Sequence, residues 1–290
     1  MDGCGAWNIR GLNNPAKQKK IRRFLLQNKV GLFGLVETKI RSSSWNKARS
    51  TICDQWSICT NFSLHKGGIF WLMWDPLAVE VDISDVTNQC IHAKVYDKAR
   101  MKKFWYTVVY GFNKVAERET LWSNIRRYHG SIQGPWIICG DFNAVMGSNE
   151  RIGGNPVTHA EIRPLLQLVL DCNLVDLKAK GNFFTWNNKH ETGTKVYSKI
   201  DRVWCIDDWM DNFPTSYVHF LPEGMFDHSP CLVKFDEELQ GKRRTFKYFN
   251  MWALAKEFEE IVTQGWSREI DGTAMYRVVL KLRGLKEGFK

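Results

Sequence analysis

The sequence has no apolar run of about 18 residues, which is the length that a membrane-spanning helix needs. Its first residues, Met1–Cys4, lack the basic stretch and the apolar run of a secretory signal peptide. It also has no internal repeat and no low-complexity segment, which excludes a repeat architecture. We therefore expect a globular chain without a membrane segment.

No two of the eight cysteines form a C-x-x-C pair, so a zinc site of the usual spacing is not expected. The eight lie singly along the chain, several of them inside apolar, strand-like runs. Cysteines in such positions behave as small buried hydrophobic residues. We expect free thiols and a reducing, intracellular environment.

The 290 residues suffice for one large domain, or for one domain and an appendage. With 44% hydrophobic residues and 13 tryptophans, the chain has ample material for a core. The net charge of +10 favours a polyanionic partner, although a solvated surface can carry the same excess. Nucleic acid would make use of it, because phosphate contacts dominate such binding. The many lysines and arginines of a predicted helix at 16–28 fit a solvated face better than a nuclear-targeting signal.

The stretch Trp136–Asn143 (WIICGDFN) is the centre of the predicted fold. Four apolar residues between Pro135 and Gly140 predict a short strand buried on both faces. If the extended backbone persists, Asp141 and Asn143 point the same way. A carboxylate beside a neutral amide suits phosphate chemistry. The alternative is an Asx turn that ends the strand, since Asp, Asn and Gly are common turn residues.

Other predicted strands also end at, or contain, a polar residue. These residues are Asn8 in 6–10, Glu37 after 30–36, Tyr110 at the end of 104–110, Asp201 within 196–204, and Asp227 with His228 before 231–233. Taken singly, Glu37 is a solvated strand end or a hard-metal ligand, and Tyr110 is more typical of a core aromatic than of a catalytic phenol. Together they supply oxygen ligands and one histidine, which suit Mg²⁺ better than zinc or copper.

Further elements follow from local signals. The pattern predicts a helix at about 116–128 and alternating strands around Val79 and Ile91. Thr158 and Glu161 have capping-box spacing, although Pro164 makes the start of that helix uncertain. We expect 183–186 and 196–204 to pair as strands, and a domain boundary between 236 and 237, where the composition becomes basic.

The motifs together resemble the endonuclease/exonuclease/phosphatase superfamily, and most closely the apurinic-type endonuclease domain of plant LINE (non-LTR) retrotransposons. The match covers roughly residues 4–235, and GDFN with a downstream DHSP is its most specific part. The motifs are WN (7–8), ET (37–38), VYGFN (109–113), GDFN (140–143), SKIDR (198–202) and DHSP (227–230). The resemblance implies an α/β fold, a four-layer α/β/β/α sandwich of the DNase I type with two packed, mostly antiparallel sheets and outer helices.

The resemblance also implies an activity and a role for each matching residue. The activity is Mg²⁺-dependent hydrolysis of double-stranded DNA, with Mn²⁺ as a substitute, to leave a 3′-hydroxyl that primes reverse transcription. By the resemblance, Glu37 would bind the metal, Asp227 would be an auxiliary ligand, and Asn8 would position the metal and Asp141. Asp141 would activate water or protonate the leaving group, and His228, oriented by Asp201, would stabilise charge or act as a base. Asn143 and Tyr110 would bind the phosphate, and Arg10 and Thr185 would contact DNA.

Two departures from the family pattern affect these expectations. Phe226 stands where a small residue usually precedes the DH pair, and a bulky ring there is expected to crowd the phosphate site. The first strand is glycine-rich and short, and both features are consistent with a decaying copy.

The tail at 246–252 resembles the connector to a reverse transcriptase, so residues 237–290 are a predicted basic, helical connector. No Y-x-D-D motif follows, and we expect the polymerase domain to be absent from this fragment.

Three hypotheses therefore stand: a DNA-nicking endonuclease, a catalytically decayed DNA-binding remnant, and a phosphatase or phosphodiesterase of the same fold that acts on lipid head groups. The basic charge favours the first two. Nuclear localisation is expected from the implied substrate alone. The sequence predicts no oligomeric state.

Overall fold

The computed structural model describes residues 1–40, 42–64, 69–191, 193–235, 257–271 and 274–288. The chain divides into two compact units, Met1–Glu238 and Leu239–Lys290. The assignment of these units as a nuclease domain and a connector remains a prediction. The basic run of the tail, at 242–247, and the segment 246–252 lie outside the described residues.

Sixteen strands and seven α-helices are present in the described residues. The strands are β1 (Gly3–Asn8), β2 (Val30–Val36), β3 (Ser57–Thr60), β4 (Phe70–Trp74), β5 (Val79–Val86), β6 (Cys90–Asp97), β7 (Lys102–Tyr110), β8 (Trp136–Asp141), β9 (Arg151–Ile152), β10 (Val175–Asp176), β11 (Ala179–Gly181), β12 (Trp186–Asn187), β13 (Tyr197–Ser198), β14 (Asp201–Cys205), β15 (Ser216–Phe220) and β16 (Cys231–Phe235). The helices are α1 (Pro15–Gln27), α2 (Trp45–Cys53), α3 (Glu119–Ser131), α4 (His159–Asp171), α5 (Asp207–Asn212), α6 (Phe258–Ser267) and α7 (Ala274–Gly288).

Two large sheets form the centre of the first unit. One has the strand order β11-β15-β16-β1-β2-β4-β3, and the other has the order β10-β14-β8-β7-β6-β5. Most neighbouring strands are antiparallel, but the pairs β1–β2, β7–β8 and β11–β15 are parallel. Because parallel neighbours end at the same edge of a sheet, the ends of β1 and β2 meet, and so do those of β7 and β8. A third, small sheet has the order β12-β13-β9.

The two sheets pack face to face, and helices α1 and α3 lie on opposite outer faces. Tyr106 on β7 donates its hydroxyl hydrogen to the Gly5 carbonyl on β1 at 2.7 Å, so the two sheets are in direct contact. On the outer face of the sheet that contains β1, Phe24 of α1 packs against Trp7, with ring centroids 5.2 Å apart. On the other, Trp122 of α3 stacks on Phe142, which follows β8. This order of layers is the predicted α/β/β/α sandwich.

The glycines of the first strand allow close packing. A Cβ on Gly5 would lie 2.0 Å from the carbonyl oxygen of Cys231, and one on Gly3 would lie 2.9 Å from that of Val233. The strand begins at Gly3, earlier than the predicted 6–10, and all six of its residues are buried. The expectation that these glycines mark a weak or decayed strand is therefore wrong.

Several local predictions are confirmed. Strand β2 has the predicted bounds, and the capping box of α4 is present, with Thr158 Oγ1 accepting from the Glu161 amide at 3.3 Å and the Glu161 carboxylate accepting from the Thr158 amide at 2.9 Å. Helix α4 runs through Pro164. All eight cysteines are free thiols. No helix of the described ranges is long and apolar enough to cross a membrane.

The predicted pairing of 183–186 with 196–204 is wrong in part. Only Trp186–Asn187 pairs with Tyr197–Ser198, in the small sheet. The chain then leaves that sheet, and Asp201–Cys205 pairs with β8 in the six-stranded sheet. The apolar pattern continues through Tyr197–Ser198 and Asp201–Cys205. The sequence therefore showed no sign that these two strands belong to different sheets. The predicted helix at 116–128 also differs, because Val115–Arg118 forms a 3₁₀ turn before α3 begins.

Candidate functional site

The polar strand ends meet at one edge of the packed sheets. Asp141, at the end of β8, lies between Tyr110 on β7 and Asp201 on β14, which are its partners in the strand register. Asn8 ends β1 on the facing sheet, and Glu37 follows β2 beside it. The residues that the family resemblance grouped therefore lie together. Strands β1 and β2 are parallel neighbours, as are β7 and β8, so their ends share this edge, whereas Asp201 begins the antiparallel β14.

Asn8 connects the two sheets through its side-chain amide. Its Nδ2 donates to Asp141 Oδ2 at 2.9 Å and to Glu37 Oε1 at 3.1 Å. Its Oδ1 accepts from the backbone amide of Arg10 at 3.0 Å. One buried amide therefore fixes the positions of two carboxylates, which is the positioning role predicted for Asn8.

His228 lies between two buried aspartates. Its Nδ1 is 2.9 Å from Asp201 Oδ2, and its Nε2 is 3.8 Å from Asp141 Oδ2. The backbone carbonyl of His228 accepts from Trp7 Nε1 at 2.9 Å, so the peptide is held as well as the ring. Asp201 orients the imidazole, and the Nε2 atom faces Asp141. The predicted pairing of Asp201 with His228 is thus present in the structure.

Burial and charge set the protonation of this pair. Although burial alone would lower it, the carboxylates of Asp201 and Asp141 raise the pKa of His228 to about 9. Burial raises the pKa of Asp141 to about 7, against the opposing effects of the His228 charge and of the Asn8 hydrogen bond. At neutral pH the imidazole is therefore cationic, and the pKa of Asp141 is close to the pH of the solution, so this carboxyl can readily give or take up a proton.

The three ligand atoms of Asp141, Asp201 and His228 lie within 4.8 Å of one another, a spacing that is compatible with a metal ion. The same three groups are also arranged for proton transfer, because Nδ1 of His228 is engaged with Asp201 and Nε2 faces Asp141.

The GDFN segment contains the turn that was the alternative interpretation. The strand ends at Asp141, and Asn143 has a positive φ of 48°. The Asn143 amide donates to Asp141 Oδ1 at 2.8 Å, which closes an Asx turn. The backbone therefore does not stay extended through Asn143, and the Asx turn is present. Oδ1 of Asp141 closes this turn, while Oδ2 faces Asn8 and His228.

Asn143 and Tyr110 both line the cavity at this edge. The Asn143 side chain donates from Nδ2 to the Gly111 carbonyl at 2.6 Å, which fixes the position of its amide. Burial first, and then the charges of Glu37 and Asp141, raise the pKa of Tyr110. Tyr110 is therefore a neutral phenol at neutral pH.

Glu37 and Asp227 are each paired with a cation. Lys39 Nζ lies 2.6 Å from Glu37 Oε2, and Arg10 Nη1 lies 2.7 Å from Asp227 Oδ2. Burial alone would raise the pKa of both carboxyls. Lys39 and the Asn8 hydrogen bond nevertheless lower the pKa of Glu37, and the charges of His228 and Arg10 lower that of Asp227. Both carboxylates are thus ionised at neutral pH.

The cavity at this edge has a volume of about 680 Å³. It is lined by four basic side chains, those of Arg10, Lys39, Arg118 and Arg151. Of these, the sequence had indicated only Arg10. Arg118 lies in a polar segment that gave no signal of burial, yet it is 4% exposed and donates to the Asn143 carbonyl at 2.7 Å. It holds the turn that carries Asn143.

Thr185 does not occupy the position expected of a DNA contact. It is 1% exposed, and its Oγ1 accepts from the backbone amides of Ile200 and Asp201 at 3.1 and 2.9 Å. The hydroxyl therefore fixes the start of β14 and thereby Asp201. The next residue, Trp186, lines the cavity instead.

Phe226 does not crowd the site. Its ring packs in the core beneath α1, with its centroid 4.2 Å from that of Trp7, and Lys17 Nζ lies 5.1 Å from the ring centre. His228, two positions later, faces the cavity. The expectation of a blocked phosphate site is therefore wrong, because Phe226 lies on the opposite side of β1 from Asp141.

Comparisons with known proteins agree with this geometry. Residues 5–221 match the model of the endonuclease/exonuclease/phosphatase family. No curated protein sequence matches the chain. Among solved structures, the endonuclease domain of TRAS1, a telomere-specific non-LTR retrotransposon, is 15% identical with a TM-score of 0.60, over 83% of this chain and 100% of that one.

Two further structures show how broad the likeness is. The AP endonuclease LMAP of Leishmania major is 12% identical with a TM-score of 0.61, over 81% of this chain and 88% of its own. A mannosyl-6-phosphatase of Bacteroides thetaiotaomicron is 13% identical with a TM-score of 0.53, over 81% and 99%. At such identities these structures show a shared fold only. Since the family model covers most of the chain, the chain belongs to the endonuclease/exonuclease/phosphatase family.

Proposed function

We propose that the protein is a Mg²⁺-dependent endonuclease that hydrolyses a phosphodiester of double-stranded DNA and leaves a 3′-hydroxyl. The observation that carries this proposal is a continuous series of side chains: His228 lies 2.9 Å from Asp201 and 3.8 Å from Asp141, and Asn8 donates hydrogen bonds to both Asp141 and Glu37. It brings a cationic imidazole, a carboxyl that can exchange a proton, and an ionised carboxylate to one edge of the packed sheets. Groups of these kinds can supply charge stabilisation and proton transfer in phosphodiester hydrolysis.

The carboxylates of Glu37 and Asp227 fit a hard divalent cation. Both are ionised oxygen donors, and each already has a cationic side chain beside it, Lys39 or Arg10. Glu37 would hold the metal, and Asp227 would be the auxiliary ligand. When bound, Mg²⁺ would neutralise negative charge on the phosphate.

The protein groups have complementary tasks in the hydrolysis. Water adds to phosphorus, the bond from phosphorus to the 3′ oxygen breaks, and that oxygen takes up a proton. Asp141, with its Oδ2 held by Asn8, would exchange the proton with the water or with the leaving oxygen. His228 would place its positive charge beside the phosphate oxygens that become more negative. Asn143 and Tyr110 would hold the phosphate as neutral donors.

DNA fits this cavity better than a small phosphate ester does. Four basic side chains line the cavity, and a net charge of +10 favours a polyanion. The hypothesis of a decayed site rested on Phe226 and on the glycines of β1, and both have a packing role instead. As a further proposal, the 3′ end would prime reverse transcription by a polymerase, and a DNA substrate would require nuclear localisation.

The test is nicking of supercoiled plasmid in Mg²⁺ by the parent and by the variants Asp141→Asn and His228→Gln. We expect open circles whose 3′ ends a DNA polymerase extends, a rate at least about 100-fold lower in both variants, and loss of nicking in excess chelator. The exposed His190→Gln is the matched control. Equal nicking by the two variants would refute the assigned site. Phosphate release from sugar phosphates or inositol phosphates, with no nicking by the parent, would refute the DNA substrate.

A further inference from the structure

The positive charge of the chain is concentrated in one segment. Residues 10–53 contain 11 lysines and arginines but a single acidic residue, Glu37. The rest of the chain has 30 basic and 30 acidic residues, so this segment accounts for the whole net charge of +10. A solvated surface needs no such separation, because mixed charges keep a protein soluble equally well.

The fold turns this segment into one basic face. Helix α1 buries Ile21, Phe24 and Leu25 against the core, and this packing leaves its charged side chains on the outside. The exposed basic residues of α1 are Lys19, Lys20, Arg22 and Arg23. Helix α2 lies beside it, with Arg22 Nη1 donating to the Thr51 carbonyl at 3.3 Å, and adds the exposed Lys47. We call these five side chains the basic face.

The charges of the basic face repel one another. Lys19 lies three positions before Arg22 and four before Arg23, and Lys20 lies three before Arg23, where side chains of a helix are neighbours. Neither α1 nor α2 contains an acidic residue that could relieve this repulsion. A polyanion that lies along the helix would relieve it and would release counterions from its own backbone.

The basic face starts at the edge of the cavity. Arg10 lines the cavity, and Lys17 of α1 donates to the carbonyls of Ile9 and Arg10 at 2.7 and 3.2 Å. The 13 residues of α1 span about 20 Å, which corresponds to roughly six base pairs of DNA. A duplex is stiff over this distance, so a duplex that followed α1 from the cavity would stay beside the helix without bending.

We propose that the basic face binds the phosphate backbone of the DNA duplex outside the cleaved phosphodiester. This inference rests on the proposed function, because it extends the same substrate from the cavity to the outer helices. It assigns α1 and α2 to affinity and not to the chemical step. The basic face therefore contributes to binding only when the DNA is long enough to reach it.

The test compares two sets of three neutral substitutions in the full chain. One set is Lys19→Gln, Lys20→Gln and Arg23→Gln. The control set, Lys94→Gln, Lys103→Gln and Arg163→Gln, removes three exposed positive charges of the same types elsewhere. Binding to duplexes of about 10 and about 30 base pairs is followed by fluorescence anisotropy over a salt series, and circular dichroism checks that each variant is folded.

We expect the first set to weaken binding to the longer duplex about tenfold and to lower the slope of log K against log salt by about 2 to 3. Binding to the short duplex, and its nicking, should stay near the parent values, as should every property of the control set. Unchanged binding of the long duplex, or an equal loss in the control set, would overturn the inference. So would a loss of binding to single-stranded RNA alone. Absence of nicking by the parent would instead refute the proposed function.

Discussion

Trp7 holds the peptide of His228 from below, because its Nε1–H donates to the His228 carbonyl at 2.9 Å. The ring of Trp7 is itself fixed by Phe226, whose centroid lies 4.2 Å away. The hydrogen bond from Trp7 thus connects the hydrophobic core to the His228 peptide at the candidate site.

Phe226→Ser should destabilise the protein and should not improve activity. Removing this buried ring leaves a cavity beside Trp7, and such large-to-small changes cost about 3 to 5 kcal/mol. Urea denaturation should show the loss in the free energy of unfolding, whereas Phe226→Leu should cost about 1 kcal/mol. Faster nicking by the serine variant at unchanged stability would revive the interpretation of Phe226 as an obstruction.

Trp7→Phe should lower activity more than its effect on folding explains. The substitution keeps an aromatic ring against Phe226 but removes the N–H donor, and it leaves the His228 carbonyl buried without its partner, at a cost of about 1 to 3 kcal/mol. We expect kcat for plasmid nicking to fall at temperatures where the variant is folded, while KM changes little. Trp105→Phe is the control, because Trp105 also donates a hydrogen bond to a carbonyl, that of Gln133, away from the site.

The sequence predicted which side chains form the candidate site better than it predicted the residues that hold them in place. Asp141 and Glu37 follow apolar runs, and the parallel arrangement of such runs brings their ends together. The side on which Phe226 packs could not be predicted, because it depends on the position of Trp7, more than 200 residues away. The same holds for Arg118, whose burial depends on carbonyl groups of two separate loops.

Thr185 shows a second limit of local patterns. A threonine in a polar loop near the end of a strand is typical of a surface contact, and nothing nearby in sequence indicates otherwise. Its actual partners are the amides of Ile200 and Asp201, 15 and 16 residues further on. Only the three-dimensional path of the chain brings them together.

Thr185→Val should therefore disturb the position of Asp201. The variant has nearly the same shape but leaves two buried amides without an acceptor, at a cost of about 1 to 3 kcal/mol for each. We expect a lower free energy of unfolding and a nicking rate reduced by more than about tenfold, because the start of β14 is no longer fixed. Thr185→Ser keeps the hydroxyl and should retain most of both. Equal loss in the serine and valine variants would contradict this role for Oγ1.

Asp201→Asn should reduce nicking about 100- to 10,000-fold while leaving DNA affinity near that of the parent. The amide cannot supply the negative charge that favours the cationic imidazole, and it can present its NH₂ group to Nδ1 and so select the wrong tautomer. Single-turnover nicking and anisotropy binding measure the two effects separately. The exposed Asp208→Asn is the control for a change of one charge. A parallel loss of affinity in Asp201→Asn would instead indicate a disrupted fold.

A buried histidine away from the site should set the acid limit of stability. His92 stacks between Trp105 and Tyr128, with centroid distances of 4.9 and 4.1 Å, and its Nδ1 lies 2.7 Å from Thr107 Oγ1. Burial lowers its pKa to about 4, against the charge of Asp85. The side chain is therefore neutral in the folded protein near neutral pH.

The sign of the effect follows from proton binding. In the unfolded chain His92 has a pKa of about 6.5, so below that pH the unfolded state binds more protons than the folded state, and acid favours unfolding. The contribution of His92 is fully present above pH 6.5 and is lost as the pH falls towards 4, by roughly 3 kcal/mol in total. Urea denaturation between pH 7 and pH 4 should show this decline. In His92→Phe the total decline between pH 7 and pH 4 should be smaller by roughly 3 kcal/mol, whereas the exposed His190→Gln should show the same decline as the parent. A parallel decline in His92→Phe and in the parent would show that other groups set the acid limit.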